Sequence, residues 1–118
     1  MENGKIVLTM VVVSVMYPNS DGCTFDMTYY RDVHMRLVRE LIGPALKGLR
    51  AEKGLGGAAP GSPAQYVAVG HLVFESVEAA GMALQAHAQR LMGDIPNFTN
   101  TQPVIQLSEI TLDSGGPA

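Results

Sequence analysis

Two hydrophobic rhythms divide the chain. Residues 6–17, IVLTMVVVSVMY, are rich in β-branched side chains and run into YPNSDG, a dense turn signal, so they predict a first strand. Phe25-Asp26 then reads as a helix entry. Asp26 is suited to accept from the free N–H groups of the first turn, and Phe25 stands where a hydrophobic staple belongs. This helix is expected to end near Ile42, before Gly43-Pro44, because proline disfavours helical geometry in the residue preceding it.

Residues 46–54 give a shorter strand candidate, and GLGGAAPGSPA at 54–64 has the composition of a mobile loop. Residues 66–74 predict a third strand. Ser76, with Glu75 and Glu78 beside it, opens a second helix over about 77–91. GDIPNFTN is a turn with room for one helical winding. Residues 104–112 predict a last strand, and 113–118 a flexible tail. The order is strand, helix, strand, strand, helix, strand. It fits one α+β domain spanning 1–118, a split βαβ plan with a four-stranded antiparallel sheet and two helices on one face.

Both faces of the predicted central strands are mostly apolar. Leu8, Met10, Val12, Ser14 and Met16 alternate with Val7, Thr9, Val11, Val13 and Val15; Tyr66, Ala68, Gly70, Leu72 and Phe74 alternate with Val67, Val69, His71 and Val73. An antiparallel sheet with one wet face alternates apolar and polar residues instead. Two helices cover one face only, so the pattern predicts a homodimer joined through the other.

Composition narrows the field. At 118 residues and 47% hydrophobic content, the chain has the material for one folded core. Eleven acidic against eight basic residues give a formal charge of −3, with no basic cluster, which argues against nucleic acid as a partner. Cys23 is the single cysteine, and with three scattered histidines it offers no metal-ligand spacing. The first apolar run is too short to span a bilayer and lacks signal-peptide flanks, so no membrane association and a cytoplasmic location are expected.

The candidate chemistry lies on the helices. Tyr30, Val33, His34, Leu37, Val38 and Leu41 form one helical stripe, with His34 its only strongly polar member. Val77, Ala80, Gly81, Leu84, His87, Ala88 and Leu91 form the second stripe, again with one histidine. Packed on the sheet, the two stripes would bring Tyr30, His34 and His87 together, with His71 joining if its side of the strand faces the helices. Small residues on the second helix leave space for a pocket, or allow the helix to lie close to the sheet. Each histidine also has a plain structural reading, as a neutral core side chain with satisfied nitrogens. Tyr29 reads as a partly exposed ring, and Asp94 reads first as a turn former.

The motif Phe25-Asp26, Tyr29-Tyr30, His34, Leu37, followed by Asp94 to Phe98 before the last strand, resembles the EthD family of the dimeric α+β barrel superfamily. The resemblance spans nearly the whole chain and implies a ferredoxin-like protomer and a dimer. One departure stands out: Arg36 occupies a position between the histidine and the leucine where the family often has proline. The family takes its name from a gene cluster for degrading ethyl tert-butyl ether. Its wider superfamily includes cofactor-free monooxygenases, polyketide cyclases, lactone isomerases and haem enzymes, so the fold leaves the reaction open.

Two functions follow. In the first, a hydrophobic small molecule, aromatic or polyketide-like, enters the helix–sheet cleft. His34 serves as general acid or base, Tyr30 holds a substrate oxygen, and His87 is a second acid–base group. Tyr29, His71, Asp94 and Phe98 are the expected substrate contacts. Dehydration, isomerisation or cyclisation suits these groups with no cofactor and no metal; haem is disfavoured by the short chain. In the second, the same dimer only binds a ligand or assists another protein, with Tyr30 and His34 a hydrogen-bonded structural pair.

Overall fold

The structure is a computed structural model that describes residues 10–114. The start of the predicted first strand, residues 6–9, and the end of the predicted tail, 115–118, lie outside the described residues. Strand β1 (Val11–Pro18) leads into helix α1, which covers residues 27–42. Strands β2 (Gly48–Lys53) and β3 (Tyr66–Phe74) follow, then helix α2 (Val77–Asp94), a short 3-10 turn (Ile95–Asn97) and strand β4 (Val104–Glu109). Both predicted N-caps are present: Asp26 accepts from the Tyr29 N–H and Ser76 from the Ala79 N–H, each at 3.0 Å. The α1 C-terminus closes on Gly43, whose φ of 68° lies in the region that favours glycine.

The four strands pair antiparallel in the order β2-β3-β1-β4, the ferredoxin-like arrangement. Val13 faces Leu72 on one side and Leu107 on the other, which fixes the parity of the sheet. Val11, Val13, Tyr17, Ala68, Leu72 and Phe74 are buried against the helices. Strand β4 lies at the sheet edge, where Ile105 and Leu107 remain 48% and 49% exposed on the helix-side face. The opposite face carries Val12, Ser14 and Met16 of β1 with Val67, Val69, His71 and Val73 of β3, all half-buried.

The helix stripes differ from expectation in an instructive way. Helix α1 is not one regular helix: Met27–Tyr29 is α-helical, Tyr30–His34 winds as a π turn, and Met35–Ile42 is α-helical again. The π turn closes with the Met35 N–H donating to the Tyr30 carbonyl, five residues back. One extra residue in the winding displaces every later position by one. Met35 and Ile42 therefore join the expected Val38 on the buried side, Leu37 and Leu41 are only half-buried, His34 stays buried inside the π turn, and Val33 is 45% exposed. In α2 the buried positions are Ala80, Ala83 and Leu91; Gly81 and Val77 face outward.

Residues 22–26 and 97–101 are sewn together, and this joins the two ends of the site. Phe25 bridges Thr99, and the Asp26 N–H donates to the Phe98 carbonyl at 2.7 Å. The Thr99 hydroxyl donates to the Thr24 carbonyl, and the Asn100 side chain both accepts from the Thr24 N–H and donates to the Gly22 carbonyl. Tyr17, Phe25, Tyr30 and Phe98 fill the space behind this seam as an edge-packed cluster, with Phe25 5.1 Å from Tyr30 and 5.3 Å from Phe98 between ring centres.

Candidate functional site

The π turn and the end of α2 meet at one carboxylate. Asp94, the last residue of α2, accepts from the Tyr29 hydroxyl at 2.7 Å and the Asn97 amide at 2.9 Å through Oδ1. Its Oδ2 pairs with His34 Nδ1 at 2.9 Å. In a regular α-helix, positions five apart point about 140° away from each other. The π winding between Tyr29 and His34 closes that angle, so both side chains reach the same carboxylate.

The protonation pattern follows from this arrangement. Burial works to raise the Asp94 carboxyl, but donors from His34, Asn97 and Tyr29 together hold it below the ordinary carboxylate range. Burial depresses the His34 imidazole below its ordinary value, and the Asp94 carboxylate only partly opposes this. The result is a neutral imidazole beside an ionised carboxylate. Because a carboxylate only accepts, the His34 proton sits on Nδ1, leaving the Nε2 lone pair free. Phe98 lies 4.7 Å from the imidazole, and Tyr30 stacks on it at 6.0 Å with planes 18° apart. Tyr30 and His34 thus touch through ring faces; the hydrogen-bonded Tyr30–His34 pair expected of a structural role is not what forms.

His34 forms part of the wall of a cavity of about 220 Å³ between the helices and the sheet. Val13, Val15, Leu72, Leu84, Leu91 and Ile105 make the wall apolar, and Tyr17 and Tyr30 join His34 as its polar members. Gly70 lies under the Tyr30 hydroxyl: a β-carbon there would stand 2.7 Å from that oxygen.

Of the residues singled out from the sequence, Tyr29, Tyr30, His34, Asp94 and Phe98 come together here. His71 and His87 do not. His71 points to the opposite face of the sheet, where it bonds Ser14 Oγ and Glu52 Oε1, each at 3.2 Å, because strand parity pairs it with Ser14 and not with the helix-facing Val13. His87 is half-buried on α2 but does not line the cavity, which takes Leu84, Ala88 and Leu91 from that helix. Asp94 proves to be the hub of the site and not simply a turn former. Asn97 and Tyr17 escaped the sequence reading. The signal for Tyr17 was its parity with Val11, Val13 and Val15; for Asp94, its place three residues after inward Leu91.

The part-buried His34–Asp94 pair makes stability depend on pH. As pH falls through the ordinary imidazole range, the unfolded chain takes up a proton that folded His34 resists, so stability is expected to decline. It should decline again below the ordinary carboxylate range, where folded Asp94 resists protonation. Urea midpoints at pH 7, 5 and 3 test this, and a His34→Gln variant should lose the first decline. A midpoint that is flat between pH 7 and 5, or equally sloped in both proteins, would contradict the assignment.

Comparison with known proteins places the chain within a family. The model of the EthD domain matches residues 24–102, which include Tyr29, Tyr30, His34, Asp94 and Phe98. The crystal structure of an EthD-like protein from Ralstonia eutropha JMP134 is 39% identical, with a TM-score of 0.84 over 89% of this chain and 95% of that one. An EthD family protein from Bacillus halodurans C-125 is 16% identical, with a TM-score of 0.66 over 86% and 98%. A protein from Shewanella loihica PV-4, provisionally called a monooxygenase, is 12% identical, with a TM-score of 0.57 over 89% and 97%. The last two likenesses concern the fold alone. No curated protein matches this chain. Among the described residues no helix is long and apolar enough to cross a membrane.

Proposed function

The chain belongs to the EthD family, and from that premise we propose that it is a homodimeric, cofactor-free acid–base protein acting on a small hydrophobic molecule held in the helix–sheet cavity. The observation that carries this reading is the carboxylate-oriented imidazole of His34, with Nδ1 bound to Asp94 and the imidazole on the wall of an apolar cavity. Nε2, unprotonated at neutral pH, takes a proton from an activated carbon of the ligand; the imidazolium formed is stabilised by Asp94 and returns the proton elsewhere on the same molecule. That sequence suffices for isomerisation, for dehydration and for the carbon–carbon closure of a cyclisation.

The Shewanella protein's label raises oxygen chemistry as a second possibility for the superfamily. The site described here favours proton transfer, because its polar equipment is a base, a carboxylate and phenols. The volume adds a limit on size. A cavity of about 150 Å³ lodges benzene, so about 220 Å³ suits one or two fused rings.

The test is proton exchange at a carbon acid of that size. In deuterated buffer at neutral pH, 2-tetralone followed by proton NMR should exchange its α-protons faster with the wild-type protein than with buffer alone. A His34→Ala variant with an unchanged circular dichroism spectrum should return the rate to background. Equal exchange by both proteins would remove His34 from the chemistry.

A further inference from the structure

Tyr17 and Tyr30 share an unusual condition. Each is 1% exposed, each lines the cavity, and among the described residues neither hydroxyl has a hydrogen-bond partner. Among the described residues no fully buried side-chain oxygen or nitrogen lacks a partner. Each hydroxyl therefore keeps a little of the small accessible surface its residue retains. A buried hydroxyl left without a partner is costly, and proteins ordinarily satisfy it. Here two such residues line one cavity: their rings meet edge to face at 5.6 Å between centres, and Tyr30 is held against Gly70, where any β-carbon would collide with its oxygen.

We propose that Tyr17 and Tyr30 together form a binding site for one oxygen atom, and that the cavity's ligand is an uncharged one- or two-ring molecule presenting a carbonyl oxygen to the two hydroxyls. The inference rests on the cavity being the ligand site but not on His34 performing chemistry there. Burial, joined at Tyr17 by the neighbouring Tyr30 and Asp94, opposes ionisation of both phenols, so each stays a donor. A donor pair matches a carbonyl, which accepts through two lone pairs. A carboxylate ligand is disfavoured because, among the described residues, no lysine or arginine lines the cavity, and the charges felt at its tyrosines, Asp94 at Tyr17 and Glu52 at Tyr30, are both negative. For a ketone held this way, the same two hydroxyls would stabilise the enolate oxygen formed when an adjacent proton leaves.

The first measurement uses the wild-type protein. The carbonyl stretch of bound 2-tetralone should lie at lower frequency than in cyclohexane, as a doubly hydrogen-bonded carbonyl does; a frequency equal to that in cyclohexane would overturn the proposal while leaving the cavity as a ligand site. The second compares dissociation constants. Tyr17→Phe and Tyr30→Phe should each weaken 2-tetralone binding by roughly 3- to 10-fold, the usual worth of one such hydrogen bond, while binding tetralin, which has no oxygen, as well as the wild type or better. Parallel losses for both probes would mean a packing role and would sink the oxygen site. Tighter binding of tetralin-2-carboxylate than of 2-tetralone would overturn the uncharged class. Failure of wild-type protein to bind either neutral probe would overturn the cavity reading and this inference with it.

Discussion

Asp94→Asn is expected to fold and yet to lose about 10²- to 10⁴-fold of any His34-dependent proton exchange, the usual worth of a positioned general base. The reason lies in how an amide would sit in the carboxylate's place. Oδ1 of Asp94 takes two donors, Tyr29 and Asn97, whereas Oδ2 takes only His34. An asparagine keeps the larger number of bonds by turning its oxygen toward Tyr29 and Asn97, which presents its amide N–H to His34. The imidazole can accept that bond only by moving its own proton from Nδ1 to Nε2. The lone pair then faces the asparagine, and the cavity meets an N–H that cannot act as a base. Stability should fall by about 1–3 kcal/mol through the altered buried bonds, so the variant remains folded at 25 °C for a domain of ordinary stability. The pH profile adds a second reading. Because burial depresses the His34 pKa, wild-type exchange should already be level at neutral pH and decline only on acidification. Exchange by Asp94→Asn at the wild-type rate would show that the carboxylate is structural only.

The contrast between these residues and the rest of the fold shows where sequence patterns carry information. Asp26 and Ser76 announce their helices because capping is local: one side chain and the next few amides decide it. Residues 66–74 and the hydrophobic runs around them were legible for a similar reason, since strand period depends only on neighbours. The π turn was not legible, because no residue type marks it. Its effect shows in the structure, where Met35 and Ile42 are buried with Val38 while Leu37 and Leu41 are half-buried, and where Tyr29 and His34 reach one carboxylate. Asp94 looked like a turn former because GDIPN is a turn; its second role depends on Tyr29 and His34, about 60 positions earlier, reaching across the helix–helix gap. The side of the sheet taken by His71 was left open by the alternation, since both sides of β3 are apolar and nothing local says which one the helices cover.

The same two-sided strand leads to the largest effect on assembly. Val69→Lys is expected to convert a dimer into a monomer that keeps its fold. The face away from the helices bears Val12, Met16, Val67, Val69 and Val73, half-buried by their own neighbours, with Val104 47% exposed at its edge. Crossing it is a polar row in which His71 is already engaged by Ser14 and Glu52. That row leaves few groups in need of a partner, so a second copy could bury the valines without stranding them. Val69 stands directly across from Glu52 on β2 and Met16 on β1. A lysine there meets an acidic cross-strand neighbour in the free protomer, which favours the fold slightly. Against a partner sheet it must lose its water, at several kcal/mol per ion, and a symmetric interface exacts this twice. Each 1.4 kcal/mol is tenfold in affinity, so the dimer constant should weaken by more than about 10³-fold. Sedimentation equilibrium across a range of concentrations decides the matter: wild-type dimer and Val69→Lys monomer, with matching circular dichroism, is the expected result. A wild-type protein that sediments as a monomer at every concentration would mean that this face, valines included, is solvated as it stands.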